Sequence, residues 1–416
     1  MKKFSYGKIF LLGFGFFGVS VIWSVYNAFV PIFLSDKFGI EPFWIGFFMT
    51  LDNIAALFIQ PPVGAWSDKL RTRFGRRIPF MLIGAPISAI AFGFIPVAAI
   101  LPLFVACTST LLLSMAFWRT PVIALMADLT PSPKRSQANG IINFMGGIGA
   151  IIAFLVGGKL FEQNAALPFW IGSGLVVLSS ALVFILIKEP QDYGEAEEKP
   201  NMFASLREIW NDNDKSALRL FLAILAWFVG YNAIEAFFTL YSVHHLGLSA
   251  GDGAGILGHL SLFFVLFALV SGFIGGKIGR RVTISLGLVI LIALLAVMFF
   301  LAPEVLANPV AEVPVLGTVR VISLLMMGAG VAWSLINVNS LPMVVDLVED
   351  ARVGTYTGLY YLFSTLAAIA GPNVNGGIIQ LMGNNYNSIM LVGPIFMVVA
   401  LALMWGVRRG EATSAK

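Results

Sequence analysis

The chain has 416 residues, of which 58% are hydrophobic and only 12% are charged. With a mean hydropathy of +0.88, it carries too little polar surface for a soluble protein of this size. Apolar runs of about 18 residues or more recur along its length, and each can cross about 30 Å of hydrocarbon as a helix. The composition therefore indicates a polytopic all-α membrane protein, and the lack of period-2 alternation argues against a strand-built pore.

The apolar segments number twelve and are numbered here as spans 1 to 12. The first six cover residues 9–34, 42–66, 78–99, 102–128, 137–161 and 167–187. The second six cover residues 218–243, 254–276, 282–302, 317–346, 354–382 and 387–407. We therefore expect an N-terminal six-helix half over 1–188, a linker over 189–217 and a C-terminal six-helix half over 218–416.

The linker has two parts. It opens with the acidic stretch KEPQDYGEAEEKP, which is typical of a flexible connection. The following NMFASLREIW places its apolar side chains on one helical face. This pattern predicts a short helix that lies on the inner membrane surface.

The distribution of basic residues predicts the orientation. Of the 26 Lys and Arg residues, 22 fall in the termini and in the loops that would share one side with them. Because cytoplasmic loops are enriched in Lys and Arg, we expect both termini in the cytoplasm. The net charge of +4 follows from this bias and gives no reason to invoke nucleic acid. The single cysteine, Cys107, lies in a predicted span and allows no internal disulfide.

The two halves repeat each other in their predicted cytoplasmic loops. MADLTPSPKRSQANGIINF after span 4 resembles VVDLVEDARVGTYTGLYYLF after span 10, with Asp128 matching Asp346. GGKIGRR after span 8 is a shortened form of GAWSDKLRTRFGRR after span 2. Two six-span repeats with matching loops resemble the architecture of the major facilitator transporters, which implies two halves and alternating access.

The loop between spans 2 and 3 concentrates charge between two apolar segments. Its glycines permit a tight turn, and Asp68 can pair with an arginine across the loop. Such pairs can form in one access state and break in the other, which predicts a cytoplasmic gate; the alternative is charge that only orients the chain. The expected gate residues are Gly64, Asp68, Gly75, Arg76, Arg77, Asp128, Arg135, Arg280, Arg281 and Asp346.

Longer motifs narrow the resemblance. IQPPVGAWSDKLRTRFGRRIPFMLIGA and ALMADLTPSPKRSQAN are similar to the plant sucrose–proton symporters and their animal and bacterial relatives. GFGFFG near the N-terminus and FW at 117–118 resemble the glycoside–pentoside–hexuronide cation symporters. The resemblance covers the first six spans well and the second half more weakly. It implies a secondary transporter that couples a sugar or glycoside to a cation.

Some positions depart from these families. The span-2 aspartates that bind sodium in the glycoside symporters correspond to Ala56 and Gln60 in this chain, whereas their span-4 tryptophan corresponds to Trp118. These departures from the glycoside symporters make sodium the less favoured coupling ion, and the expected coupling ion is a proton.

Three ionisable residues lie inside predicted spans: Asp52 on span 2, Arg119 on span 4 and Glu235 on span 7. Each costs at least ~3 kcal/mol on insertion scales, so each is a candidate for function. Because removal from water favours the neutral form of a carboxyl, Glu235 and Asp52 are predicted to carry the proton; the alternative is a structural hydrogen bond between helices. Arg119 could bind the solute or only neutralise Asp52.

Sugars are bound by aromatic faces together with amide and hydroxyl groups, and suitable residues recur at mid-span depth. The resemblance implies that spans 1, 4, 7 and 10 line the solute cavity. The predicted solute contacts are Trp23, Tyr26, Asn27, Asn53, Trp118, Arg119, Tyr231, Asn232, Asn337, Asn339, Tyr360 and Asn373.

The favoured function is proton-coupled symport of a sugar or glycoside by a monomer in the cell inner membrane. A same-fold exporter of drugs or amphiphiles and a non-transporting sugar sensor are the alternatives. An enzyme is not expected, because the sequence has no Asp-rich motif and no Cys/His spacing for a metal. The expected partners are the solute, the proton and the lipid bilayer, with no cofactor.

Overall fold

A computed structural model of the chain describes residues 6–130, 135–189, 202–314, 316–348 and 352–411. Within these ranges the structure is almost entirely helical. Up to residue 189 the helices are α1 (Tyr6–Ile32), α2 (Pro42–Phe48), α3 (Leu51–Lys69), α4 (Ile78–Phe94), α5 (Leu101–Leu129), α6 (Arg135–Gln163) and α7 (Leu167–Leu186). A short π-helical turn, Phe33–Lys37, extends α1.

The second part of the chain adds eight helices and a hairpin within the described ranges. These elements are α8 (Met202–Asn211), α9 (Ser216–His244), α10 (Ala250–Ile278), α11 (Arg280–Phe300), α12 (Pro303–Ala307), β1 (Pro309–Val313), β2 (Gly317–Arg320), α13 (Val321–Val345), α14 (Val353–Leu381) and α15 (Ile389–Trp405).

The predicted membrane spans are confirmed as helices. Across the described residues, eleven helical stretches are long and apolar enough to cross a membrane, with α2 and α3 counted together. The remaining predicted span, span 3, corresponds to α4, an apolar helix of 17 residues. The chain is therefore a multi-pass α-helical membrane protein.

Span 2 differs from the prediction of one continuous helix over 42–66. A turn at Met49 and Thr50 separates α2 from α3. The Thr50 hydroxyl donates to the Phe47 carbonyl (2.7 Å) and accepts from the Asn373 amide (3.1 Å). A side-chain hydroxyl that binds a carbonyl three residues earlier competes with the helical ladder, so the break is possible without glycine or proline.

Span 10 also differs from the prediction. The sequence predicts a helix from residue 317, but residues 317–320 form β2, which pairs antiparallel with β1. The helix α13 begins at Val321, and the Val321 N–H donates to the carbonyl of Asn308 (3.1 Å). The strand pairing thus takes up the polar backbone that precedes the span.

The described residues group into two compact units. Unit 1 comprises those within 1–40, 51–197 and 249–258, and unit 2 comprises those within 41–50, 198–248 and 259–416. In unit 1, α1 packs on α6 and α7, and α4 packs on α5 and α7. In unit 2, α9 packs on α14 and α15, and α2 packs on α14.

Contacts within unit 1 fix α4 at both ends and along its length. At its beginning, the chain turns through Gly75 with φ +110°, a conformation that favours glycine. Beyond its other end, the Lys37 ammonium donates to the carbonyl of Ala98 (2.7 Å). Along its length, Gly84 faces the indole of Trp118 on α5. The helix is therefore fixed along the whole width of the span.

Gly84→Ala tests the packing of α4 on α5. A Cβ at position 84 would lie 2.6 Å from the Trp118 Cβ and 2.8 Å from its Cγ, so the helices must separate. We expect a loss of about 1–3 kcal/mol of stability, measured as a lower melting temperature with a thiol-reactive dye that reports exposure of Cys107. Gly174→Ala is the matched control, because nothing lies within 4 Å of its added Cβ. Equal melting temperatures for the two variants would contradict the packing.

Candidate functional site

Unit 1 carries a polar cluster within its membrane segment, built around Asp52. This carboxylate lies in the first turn of α3 and accepts a hydrogen bond from the Asn53 amide (2.8 Å). Arg119 on α5 is close enough to attract it electrostatically. Tyr26 on α1 is also within electrostatic range of Asp52. The structure thus brings together four of the predicted residues from three helices.

Two aromatic residues on α1 add hydrogen-bonding groups to this cluster. Trp23 and Tyr26 are three residues apart, share one helix face and meet edge to face with centroids 5.9 Å apart. Within the described part of the chain, the Tyr26 hydroxyl and the Trp23 indole N–H are buried and have no hydrogen-bond partner. Asn27 follows on the same helix and is partly buried. Such polar atoms can bond to the hydroxyl groups of a solute.

Trp118, a predicted solute contact, lies outside this cluster in the structure. Its side chain is only 1% exposed, and its indole N–H donates to the Ser88 hydroxyl (3.0 Å). Its one donor is thereby satisfied between α4 and α5. Trp118 packs two helices together in this structure.

Unit 2 carries a second polar cluster, on α9. Glu235, Tyr231 and Asn232 lie within one turn and are all partly buried. Among the described residues, Glu235 has no hydrogen bond and no ion pair, and Tyr231 is within its electrostatic range. The ring of Tyr231 stacks on Trp333 of α13, with centroids 4.0 Å apart and planes 7° apart. Trp333 was not predicted, because a tryptophan in an apolar run gives no signal of its partner.

Most of the predicted asparagines are bonded to the protein. The Asn339 amide is 3% exposed and donates to Ser271 (3.1 Å to the hydroxyl) and to the Leu335 carbonyl (3.0 Å). Asn339, a predicted solute contact, therefore ties α13 to α10 in this structure. Asn232 donates to the carbonyl of Phe228 (2.7 Å), and Asn373 donates to the carbonyl of Ile369 (2.7 Å).

Two further predicted contacts lie on α13 and α14. The Tyr360 hydroxyl is hydrogen-bonded to the Ser340 hydroxyl (2.9 Å), and the residue is 6% exposed. Asn337 is partly buried. Tyr360 therefore links α13 to α14 in this structure.

The loop between α3 and α4 carries a charge cluster centred on Asp128. One Asp128 oxygen accepts from the Arg76 guanidinium (2.6 Å) and the other from Arg77 (3.0 Å). Arg77 also bonds Asp68 (2.6 Å) and the Ser67 hydroxyl, and it is 5% exposed. One buried guanidinium thus bridges the end of α3 to the end of α5.

Of the other predicted gate residues in this unit, Gly64 allows close approach of α3 to α5, with Thr120 in van der Waals contact at 3.5 Å from its added Cβ. Arg135 is the first residue of α6, and its side chain lies outside the described residues.

Unit 2 has a related cluster at the loop between α10 and α11. The Arg280 guanidinium bonds Asp346 and the carbonyl of Pro342 (2.8 Å). Arg281 instead donates to the carbonyl of Trp405 (2.8 Å) at the end of α15. Of the two predicted partners for Asp346, the structure therefore selects Arg280.

A glutamate that was not predicted supports each loop. The Glu189 carboxylate accepts the backbone N–H groups of Arg76 (2.9 Å) and Arg77 (2.9 Å). The Glu411 carboxylate accepts those of Arg280 (2.7 Å) and Arg281 (3.0 Å). The signal that could have identified them is their shared position, because each glutamate follows the sixth span of its own half.

The linker helix α8 is held to unit 2 by ion pairs. Glu208 pairs with Arg352, and Asp214 pairs with Arg409 (2.9 Å). The hydrogen bond from Arg352 holds the pKa of Glu208 below its usual value. Trp210 at the end of α8 is 67% exposed.

Asp128→Asn tests the charge cluster of unit 1. The change leaves two arginines with one carboxylate, and we expect it to cost about 1–3 kcal/mol of stability. Asp346→Asn in unit 2 is the comparison and should cost less, because the Asp346 side chain is 32% exposed against 17% for Asp128. Melting temperatures from the Cys107 dye assay measure both. A smaller loss for Asp128→Asn would contradict this account.

Comparison with known proteins agrees with the helical architecture. A model of the Major Facilitator Superfamily matches residues 12–372. The solved bacterial homolog of the human lysosomal transporter Spinster superposes with a TM-score of 0.75 over 97% of each chain, at 15% identity. The nucleoside transporter NupG gives a TM-score of 0.74 over 96% of this chain and 99% of its own, at 17% identity. At such identities these structures support the fold alone.

The sequence relatives include drug-resistance proteins and sucrose transport proteins. Multidrug resistance protein 1 of Bacillus subtilis is 29% identical over 50% of this chain and 51% of its own length. Multidrug resistance protein 2 of the same organism is 23% identical over 96% of this chain and 94% of its own. Sucrose transport protein SUC3 of Arabidopsis thaliana is 27% identical over 34% of this chain and 27% of its own. With the family model spanning most of the twelve spans, the chain belongs to the Major Facilitator Superfamily.

Proposed function

We propose that the protein is a secondary active transporter that couples a proton to the uptake of a sugar or glycoside. The observation that carries the coupling is Glu235, an in-span carboxylate without a hydrogen bond or ion pair among the described residues. An isolated carboxylate in an apolar setting can be neutral when sealed from water and charged when hydrated. Its proton occupancy then depends on the access state, which is what coupling requires.

Aromatic and hydroxyl groups support a hydroxylated solute. In unit 2, the stacked rings of Tyr231 and Trp333 offer aromatic surface of the kind that binds the apolar side of a sugar ring. In unit 1, the Tyr26 hydroxyl and the Trp23 N–H offer hydrogen bonds. Arg119 attracts the Asp52 carboxylate there and favours its charged form, so Glu235 is the favoured proton carrier and Asp52 the second candidate.

The charge clusters support a cytoplasmic gate in each half. Arg76 and Arg77 with Asp128 form one, and Arg280 with Asp346 forms the other. In the proposed cycle these pairs close in one access state and open in the next. The halves 1–188 and 218–416 are the moving bodies, and residues 189–217 connect them.

A second candidate function is export of drugs or amphiphilic cations. The whole-length match to Multidrug resistance protein 2 favours it, since the match to the sucrose protein covers only a third of this chain. The same Glu235 and its aromatic neighbours could hold an organic cation. Purified protein in proteoliposomes separates the two: uptake of radiolabelled sucrose or melibiose under a pH gradient supports the first, and gradient-driven movement of ethidium supports the second.

Glu235→Gln mimics the protonated carboxyl. We expect the variant to keep solute exchange at equal concentrations on both sides and to lose accumulation driven by a pH gradient. Radiolabelled solute uptake and counterflow in proteoliposomes measure the two activities. Glu312→Gln, at an exposed position on β1, is the matched control and should behave as wild type. Accumulation by Glu235→Gln equal to that of wild type would make Glu235 structural and direct attention to Asp52.

Asp68→Asn tests the gate. Removing this charge breaks one of the two carboxylate bonds of Arg77, so the closed state should form less readily. We expect slower turnover with solute binding nearly unchanged, compared by transport rates and by equilibrium binding of the same labelled solute. Unchanged turnover would mean that the charges of this loop only orient the chain in the membrane.

A further inference from the structure

We infer that Glu189 and Glu411 are positioning residues for the transport cycle: each fixes the backbone of one Gly-Arg-Arg loop so that its arginines meet their carboxylates. The inference rests on the proposed gate and goes beyond it, because the glutamates bind backbone N–H groups whereas the gate consists of side-chain ion pairs. It rests on two sites, one in each unit, that share the same construction.

Glu189 binds the beginning of α4 through backbone atoms. Its carboxylate accepts three successive N–H groups, those of Arg76 (2.9 Å), Arg77 (2.9 Å) and Ile78 (3.2 Å). The first N–H groups of a helix have no partner inside the helix, and a carboxylate satisfies them well. Glu189 is 6% exposed, so water competes little for these bonds.

Gly75 makes this approach possible. Its φ is +110°, and a Cβ at this position would lie 2.7 Å from the Cβ of Glu189. The turn therefore requires glycine both for its backbone conformation and for its space. The carboxylate and the glycine form one structural unit that sets where the next two residues begin.

Glu411 repeats the arrangement in unit 2. Its carboxylate accepts the N–H groups of Arg280 (2.7 Å) and Arg281 (3.0 Å) at the beginning of α11. The preceding Gly279 has φ +92°, and its added Cβ would lie 2.9 Å from a carboxylate oxygen of Glu411. The same contact arises at the end of the sixth span of each half, although KEP and RRGE show no sequence match. Two independent occurrences argue for a shared role.

The consequence is a fixed starting point for the guanidinium groups. In unit 1, the Arg77 side chain extends from this fixed backbone and bridges Asp68 and Asp128. In unit 2, Arg280 leaves it to reach Asp346. A gate pair that breaks and re-forms in every cycle re-forms faster when only the side chain has to be ordered. The glutamates therefore act on turnover through the arginines.

The test uses the full-length protein in lipid nanodiscs with two readouts. Hydrogen exchange reports the amides of residues 76–78, and labelling with phenylglyoxal, read by mass spectrometry, reports the guanidinium groups. For Glu189→Gln we expect about tenfold faster exchange at these amides and several-fold more labelling of Arg76 and Arg77. Labelling of the exposed Arg73 should not change. Glu189→Asp, which keeps the charge, should restore part of the protection.

Controls separate positioning from general stability. Lys188→Gln changes a charge at the adjacent exposed residue and should leave both readouts at wild-type values. Asp128→Asn should raise arginine labelling without speeding amide exchange at residues 76–78, because it removes only the side-chain partner. Glu411→Gln should act on Arg280 and Arg281 alone, and it provides the same test if Glu189→Gln does not fold.

Two outcomes overturn the inference. One is wild-type exchange and labelling in both glutamine variants, which would make these hydrogen bonds dispensable. The other is a uniform rise at both loops in either variant, which would show a general loss of stability rather than local positioning.

Discussion

Hydrocarbon offers no hydrogen bonds, so every polar group inside a span must find its partner within the protein. This constraint explains why the predicted asparagines are hydrogen-bonded to the protein. The Asn339 amide donates to Ser271 and to the Leu335 carbonyl, and the Asn232 amide donates to the carbonyl of Phe228. An amide in a span is therefore first a means of joining or bending helices. Among the described residues, the Tyr26 hydroxyl and the Trp23 indole N–H are buried without such a partner, which is why we propose them as groups that bind the solute.

The same constraint sets how far the sequence could predict the structure. Spans are predictable because length and hydropathy are local properties, and charge pairs are predictable where opposite charges recur at matching loops, as Arg76 and Asp128 do. Contacts such as Trp333 on Tyr231 and Glu189 on Arg77 join distant segments, the latter 112 residues apart, and no local pattern announces them. The break at Thr50 escaped prediction for another reason, because it depends on one hydroxyl and on Asn373 from another helix.

The two halves share backbone geometry more closely than they share side-chain contacts. Both loops turn at a glycine with positive φ, and in both a glutamate accepts backbone N–H groups. The arginine side chains of the two loops, however, have different partners. In unit 1 Arg77 is buried between two carboxylates, whereas in unit 2 Arg281 donates to a backbone carbonyl and only Arg280 meets an acid. A pair that is more exposed is more strongly screened by salt. The two loops therefore share a backbone turn, but their ion pairs differ in burial and in sensitivity to salt.

The anchoring of α4 has a consequence for the surrounding lipid. With 17 residues, α4 spans roughly 26 Å, a few ångströms less than an average hydrocarbon layer of about 30 Å. A short helix usually adapts when flanking side chains snorkel, but Arg76 and Arg77 are committed to Asp128, and Lys37 at the far end is committed to Ala98. Because these side chains are held by the protein, we expect the bilayer to thin beside this helix. The stability of unit 1 should therefore depend on membrane thickness, which lipid composition sets.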